Sequence, residues 1–302
     1  MKATIQLCTY NRAPLLVRVL DACFEQTVPE DSYEVVLVND GSTDDTRAEI
    51  DRARARATCA FEVVTQANAG LARARNAGIA LARGERIVFI DDDVLPLPNF
   101  VEEHLRAAVR DPSRIVRGGA ITVESFDDLP PPVWSLRDYS ANYFWTTNVS
   151  VPLQTLRNVG GFNPSFAEYG WEDIDVGLRL RRAGVRATFD ARALVYHYKA
   201  RPLGRDVETM IRQARAQART AVQLGRLHRH WRATLATGEF SAARALHGIL
   251  RGAHVQERLR RRLSAVAADR PLSNAELRAA RRLVKESYFQ ELERARGGEG
   301  GA

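Results

Sequence analysis

Short apolar runs alternate with helical periodicity through the first part of the chain. Thr4–Cys8, Tyr33–Val38, Phe61–Thr65 and Arg86–Ile90 are aliphatic or β-branched and bounded by turn residues, which predicts strands. Pro14–Phe24, Thr43–Arg56 and Gly70–Leu81 space their apolar residues near 3.6 and predict helices between them. Strands alternating with helices imply a parallel sheet covered by helices, an α/β fold. Such strands are buried on both faces, and Val35-Val36-Leu37-Val38 is the continuous apolar run this requires. Arg186–Phe189 and Leu194–His197 read as the last strands. A helix is expected from the Gly170-Trp171-Glu172-Asp173 segment to Arg182, and the Pro-rich Asp127–Pro132 segment as a surface loop. From Arg205 onward Ala, Arg and Leu recur at helical spacing with few β-branched residues. The expected division is therefore a sheet domain over 1–204, a basic helical region over 205–296 and a disordered Gly-rich end over 297–302.

Ligands of α/β sheets gather at the carboxyl ends of the strands. Thr9-Tyr10-Asn11-Arg12 follows the first strand, Asn39-Asp40-Gly41-Ser42-Thr43-Asp44 the second, and Asp91-Asp92-Asp93 the fourth. Three polar clusters at three such ends predict one site. Adjacent carboxylates repel, and a cation would compensate them. If the chain stays extended, Asp91 and Asp93 share one side, and their oxygens suit Mg²⁺ or Mn²⁺ carrying a substrate's phosphates. The competing reading makes the triad a helix cap before Pro96–Val109. Asp40 is equally a turn residue or, when ionised, an acceptor for a base N–H. Thr9 and Tyr10 offer a backbone edge and an aromatic face to a base ring. Arg75 is placed to reach a phosphate or the base pocket. At the helix start, Glu172 and Asp173 either hold a proton-accepting carboxylate ionised in the helix dipole or simply stabilise the helix, and the latter is the expected role of Asp175. Trp171 is either a platform for a sugar acceptor or a core residue.

Taken together and in order, Thr9-Tyr10-Asn11-Arg12, Asn39–Asp44, Asn76-Ala77-Gly78, Asp91-Asp92-Asp93 and Trp171-Glu172-Asp173 resemble the motifs of family 2 glycosyltransferases, over about residues 1–200. The resemblance implies a GT-A-like fold, a Rossmann-like and mostly parallel sheet flanked by helices, here with a C-terminal helical appendage. It implies inverting transfer of a sugar from a nucleotide-sugar donor, with UDP as the expected nucleotide, to a hydroxyl on a sugar, lipid or small-molecule acceptor. By the same resemblance Thr9, Tyr10, Arg12, Asp40, Arg75, Asp91 and Asp92 bind the nucleotide. Asp91 and Asp93, joined by His197, hold Mn²⁺ or Mg²⁺; Asp173 is the base, Glu172 assists it, and Trp171 meets the acceptor. On its own, a lone histidine ending an apolar strand is more often packed than ligating. Lys199, Arg201 and Arg205 are expected to close over the diphosphate. The rival readings are a nucleotidyltransferase of similar architecture and a non-catalytic nucleotide-sugar-binding protein. The first usually carries a Gly-rich phosphate loop after its first strand, which is absent here.

Composition changes this picture in two places. With 45% apolar and 27% charged residues across 302 positions, the chain has the balance of a globular protein. Its net charge of +7 is uneven: Arg205–Arg296 holds 20 Lys and Arg against 9 Asp and Glu, and the remainder is net acidic. That excess predicts either peripheral contact with an anionic membrane or a solvated basic face, with no nucleic acid expected. Cys8, Cys23 and Cys59 show no metal-ligand spacing and read as buried free thiols. With no signal-like or spanning apolar run, the expectation is a cytoplasmic protein, at most membrane-peripheral.

Overall fold

The structure is a computed structural model, described here for residues 1–238 and 253–297. The chain divides into two compact units: Met1–Ala167 with Glu172–Ala200, and Glu168–Trp171 with Arg201 onward.

The first unit begins with β1 (Ala3–Thr9), α1 (Ala13–Phe24), β2 (Tyr33–Asp40), α2 (Thr46–Arg54), β3 (Ala60–Gln66), α3 (Leu71–Leu81) and β4 (Arg86–Phe89). It continues with β5 (Val94–Pro96), α4 (Phe100–Ala108), β6 (Ile115–Val123), β7 (Val149–Pro152), α5 (Leu153–Asn158), α6 (Glu172–Arg182) and β8 (Ala187–Tyr198). The eight strands form one sheet in the order β3-β2-β1-β4-β7-β6-β8-β5. β3, β2, β1 and β4 run parallel, so the carboxyl ends of β1, β2 and β4 share one edge. β7 then runs antiparallel to β4 and β6, and β5 antiparallel to β8, so the far half of the sheet is mixed.

Alternation along the strands sorts the core into two layers. Val88 of β4 and Ile90 just after it face a cluster with Leu16, Leu20 and Phe24 of α1 and Phe100 of α4. Ile87 and Phe89 face the other layer, with Ile79 of α3 and Val176 and Leu180 of α6. There Phe89 meets Phe144 and Phe162 edge-on at 5.8 and 5.6 Å, an arrangement favoured by the ring quadrupoles. Every residue of β2 is buried, as a strand covered on both faces requires.

Several elements differ from the periodicity. The two late strand segments are one strand, β8, with a register irregularity where Arg117 and Gly119 of β6 pair with it. A helix does not begin at Pro96: Val94–Pro96 is an edge strand, and the helix starts at Phe100 with Asn99 as its cap. Pro98 lacks an N–H and biases Leu97 away from helix, which sets that boundary. β6 has little patterned alternation because both of its faces are covered.

The second unit contains α7 (Asp206–Leu227), α8 (Trp231–Ala236), α9 (Ala253–Ser264) and α10 (Asn274–Gly297). α7 and α10 pack through Val207 and Ile211 against Ala279, Ala280 and Leu283, and through Ala218 and Ala221 against Phe289 and Leu292. The disorder expected over 297–302 concerns residues that, after Gly297, lie outside those described. Among the described residues no helix is long and apolar enough to cross a membrane. The three cysteines are free; Cys23 is buried, while Cys8 and Cys59 are half-buried.

Candidate active site

The loops after β1 and β2 are laced together by side chains. Asn11 adopts φ 54°, and its Oδ1 accepts from Thr43 N at 2.7 Å, while its own N–H donates to Ser42 Oγ at 3.0 Å. Asp44 Oδ2 accepts from Ala13 N at 3.2 Å, joining the second loop to the start of α1. Gly41 turns the loop at φ +79°, and a Cβ there would stand 2.5 Å from Asn68 N, so only glycine fits. Asn11 and Asp44 are thus structural members of the site that motif reading had not singled out.

Asp40 ends β2 with a buried carboxylate. Its Oδ1 accepts from Gln66 Nε2 at 2.7 Å and Ala69 N at 3.0 Å, and its Oδ2 from Gly70 N at 3.0 Å. Three of its roughly four lone-pair positions therefore pin the loop into α3, and one is left for a ligand. Thr9 is buried, with its hydroxyl beside the Asp92 carboxylate, whereas Tyr10 next to it is exposed.

The acidic triad lies in a turn closed by Val94 N to Asp91 O at 3.1 Å. This corrects the expectation of an extended chain with Asp91 and Asp93 on one side. It also removes the helix-cap alternative, since α4 begins well beyond the triad. Asp91 turns to Thr147 Oγ1 at 2.8 Å and Arg75 Nη2 at 3.2 Å. Asp93 turns to Arg12, 3.5 Å away, and to His197 Nε2 at 3.6 Å. The register explains the second approach: Val94 pairs with His197 across β5 and β8, and Tyr198 N donates to Asp93 O at 2.9 Å. Burial pushes Asp92 up to about 6, opposed by Arg12. Burial, then the neighbouring Asp91 and Asp92 charges, push Asp93 up to about 7. Burial, then Lys199, lower His197 to about 4, so its imidazole is neutral at physiological pH and available as a ligand.

Arg75 is the hub. Its side chain, 5% exposed, lies 5.1 Å over the Phe162 ring. Nη1 donates to Glu172 Oε1 at 2.8 Å, and Nη2 donates to Thr146 Oγ1 at 2.7 Å as well as to Asp91. The fork donates to protein groups, so Arg75 holds the two acidic segments together. Thr146 and Thr147, which precede β7, carried no motif signal.

Asp173 accepts from Ile174 N at 2.7 Å. Burial, then the adjacent Glu172 charge, push it up to about 7, with Arg75 opposing. The helix dipole was expected to keep this carboxylate readily ionised; desolvation and the like charge outweigh it. Asp175 accepts two hydrogen bonds from Arg179 one turn on, at 3.0 and 2.6 Å, and stabilises the helix. Trp171 belongs to the helical unit: its indole N–H donates to Gln217 O at 2.8 Å and its ring packs with the Ala218–Phe289 cluster. This packing supports the core reading of Trp171, which is half-buried. Arg201 donates to Leu272 O and Asn274 Oδ1, and Arg205 pairs with Asp269, so both arginines serve the helical unit.

The expected metal trio is also not assembled. Among the described residues no group of three or more His, Cys, Asp or Glu side chains is arranged to hold a metal ion. The reason is that the Asp91 oxygens are drawn to Arg75 and Thr147. The Asp93–His197 pair does fit a divalent cation that takes its remaining ligands from a diphosphate, as Mg²⁺ and Mn²⁺ commonly do.

An α/β sheet with an acidic turn after β4 and an acidic helix start at α6, joined by a buried arginine, defines a GT-A-like enzyme. Residues 4–165, more than half of the chain, match the Glycosyl transferase family 2, and 134–201 match the N-terminal domain of galactosyltransferase. The chain belongs to family 2 of the glycosyltransferases. Validoxylamine A glucosyltransferase of Streptomyces hygroscopicus subsp. jinggangensis is 30% identical over 221 residues, covering 61% of this chain and 52% of that protein. The chain thus spans about half the length of that relative. Glycosyltransferase AglE of Haloferax volcanii is 27% identical over 217 residues, covering 69% and 70% respectively. Among solved structures, the mannosyltransferase PcManGT of Pyrobaculum calidifontis, in complex with GDP-Man and Mn²⁺, superposes with TM-score 0.63 at 19% identity, covering 100% of this chain and 88% of that one. S. aureus TarS 1–349 in complex with UDP follows at TM-score 0.58 and 18% identity, covering 99% and 92%.

Proposed function

We propose that the chain transfers a sugar from a nucleotide-sugar donor, a UDP-sugar, to an acceptor hydroxyl with inversion at the anomeric carbon. One observation carries the reading. The buried Arg75 fork joins Glu172, at the start of α6 and next to the candidate base Asp173, to Asp91, just after β4, which supports a base close to the candidate diphosphate site. Bound neighbours support the donor class: PcManGT holds GDP-Man, and TarS structures hold UDP and UDP-GlcNAc.

The two acids at the helix start divide the work. Glu172 is committed to the Arg75 guanidinium. Asp173 has no such cation partner among the described contacts, and its raised pKa near neutrality suits a general base. Its carboxylate takes the acceptor's proton as that oxygen attacks the anomeric carbon from the face opposite the leaving nucleoside diphosphate. A single displacement inverts configuration. Asp40's remaining lone pair accepts a base N–H, and Tyr10, exposed beside Thr9, covers the ring. Arg12 adds positive charge to the diphosphate site. Asp93 and His197 would hold Mn²⁺ or Mg²⁺, which neutralises charge on the leaving diphosphate.

The test is turnover of a UDP-sugar panel with the anomeric configuration of the product read by NMR. Asp173→Asn keeps shape but cannot accept the proton, so kcat should fall about 10²–10⁴-fold with donor affinity unchanged. A retained configuration would refute single displacement. Full activity in Asp173→Asn would return the segment to a helix-stabilising role, and a dead Glu172→Gln beside an active Asp173→Asn would exchange the two roles.

A further inference from the structure

A chain of buried polar side chains joins β4, α4, β6, β7 and β8, and the transfer chemistry leaves it without a role. Arg86, His104, Asn148 and Ser150 are each at most 4% exposed and are linked in series. Asn148 fixes the direction of the series. Its Nδ2 lies 2.8 Å from Gly119 O and 2.9 Å from Ala193 O, so this end of the amide is the donor and Oδ1 the acceptor. Oδ1 faces His104 Nε2 at 3.0 Å, and that nitrogen therefore carries the ring proton. Burial lowers the ring's pKa to about 3, against the Asn148 bond and with the help of the Arg86 charge, so His104 is neutral and its Nδ1 is bare. Nδ1 accepts from Ser150 Oγ at 3.0 Å, and Ser150 Oγ in turn accepts from Arg86 Nη1 at 3.2 Å. Exchanging the two His104 nitrogens would set two acceptors face to face at Asn148.

The far end of the series closes an irregularity in the sheet. β6 advances from Arg117 to Gly119 while β8 advances from Phe189 to Leu194, so the register shifts there. The Asn148 amide bonds one carbonyl on each strand at this shift, and Gly118 N donates to Asn148 O at 3.2 Å. Residue 118 has to be glycine, because a Cβ would collide with Ala193 O and the Asn148 amide. In the other direction Asn148 leads into the site. Its N–H donates to Trp145 O at 3.0 Å, closing a turn over Thr146 and Thr147, whose hydroxyls meet Arg75 and Asp91.

We propose that Asn148 is a positioning residue of the transfer site: clamped to β6 and β8 beside a His104 ring of fixed tautomer, it holds the turn that presents Thr146 to Arg75 and Thr147 to Asp91. It acts through those two hydroxyls and touches no substrate. The assignment rests on the reading of Arg75 and Asp91 as site residues. A polar residue kept only for the core would need no more than its own hydrogen bonds. Here the residue that closes the register shift is joined directly to the two threonines, so a displaced amide displaces them, and small misplacements of a site are costly to rate.

The clamp is tested first without turnover. In nitrogen NMR of the full chain, the His104 ring should show a protonated Nε2 and a bare Nδ1 from about pH 5 to 8. The Arg75 guanidinium protons should exchange about tenfold faster or more in Asn148→Ala than in the parent, because Thr146 loses its fixed place. Kinetics then separate positioning from a general loss of structure. With the nucleotide-sugar that the parent turns over, Asn148→Ala should lower kcat/KM by about 10²-fold. In a background of Thr146→Val with Thr147→Val the same substitution should cost less than about twofold, since the hydroxyls through which it acts are gone. His104→Gln keeps an N–H for the Asn148 oxygen and should stay near the parent, whereas His104→Leu should not, both at unchanged circular dichroism. The proposal is overturned by a proton on His104 Nδ1, by Arg75 protons indifferent to Asn148→Ala, by losses that multiply across the two backgrounds, or by His104→Gln as impaired as His104→Leu. A parent that transfers no sugar would sink the transfer reading, while the ring tautomer and the Arg75 protons still decide the clamp.

Discussion

Replacing Arg75 with Met asks how much of the site rests on one buried cation. The side chain is 5% exposed, and its best partner, Glu172, is 10% exposed. Removing one member of such a pair leaves an uncompensated buried charge, which typically costs about 3–5 kcal/mol. Asp91 adds little to this, because it is 31% exposed and retains Thr147, so water can replace the lost donor. With two compact units a single unfolding energy is poorly defined, so the effect is best read locally. Hydrogen exchange of α3 and α6 amides at pH 8 should lose protection by about 10²–10⁴-fold, the same energy expressed as a ratio. The double variant Arg75→Met with Glu172→Gln should regain most of the protection, since no orphaned charge remains. A single variant within about threefold of the parent, or a double variant no better than the single, would refute the hub role.

Two further outcomes follow from the acids. Asp93→Ala should abolish divalent-cation-dependent UDP binding measured by calorimetry while circular dichroism is unchanged; binding that persists would remove Asp93 as a ligand. Because Asp173 is pushed up to about 7, its base form is populated only above that value, so kcat/KM should rise with pH through an acid limb near there. The sign for stability is opposite: a raised carboxyl pKa means that the folded state holds the extra proton, so stability falls as pH rises from the ordinary carboxylate range through 7. Asp173→Asn should remove that fall, and a pH profile identical in the variant would refute the assignment.

The chemistry-bearing segments were legible because local sequence dictates them. A β-branched run followed by a polar cluster marks a strand end, and β1, β2 and β4 do end at Thr9, Asp40 and Phe89, on one edge of a parallel sheet. The helix over Glu172–Arg182 and the helical character of the tail were visible for the same reason, since periodicity is a property of neighbours. What the sequence could not carry is the direction in which each side chain turns. Asp91 and Asp93 are two residues apart, yet one belongs to Arg75 and Thr147 and the other to Arg12 and His197, because a turn separates them and distant strands supply the partners. Trp171 looks like a site residue beside Glu172, but its indole is held by Gln217, 46 positions away. The shift of Asp173 comes from burial, which no local pattern encodes. Position along the chain settled which residues meet at the sheet edge; only tertiary packing, by choosing which charges are desolvated and which are paired, decided that Arg75 joins Glu172 to Asp91 and that burial raises Asp173.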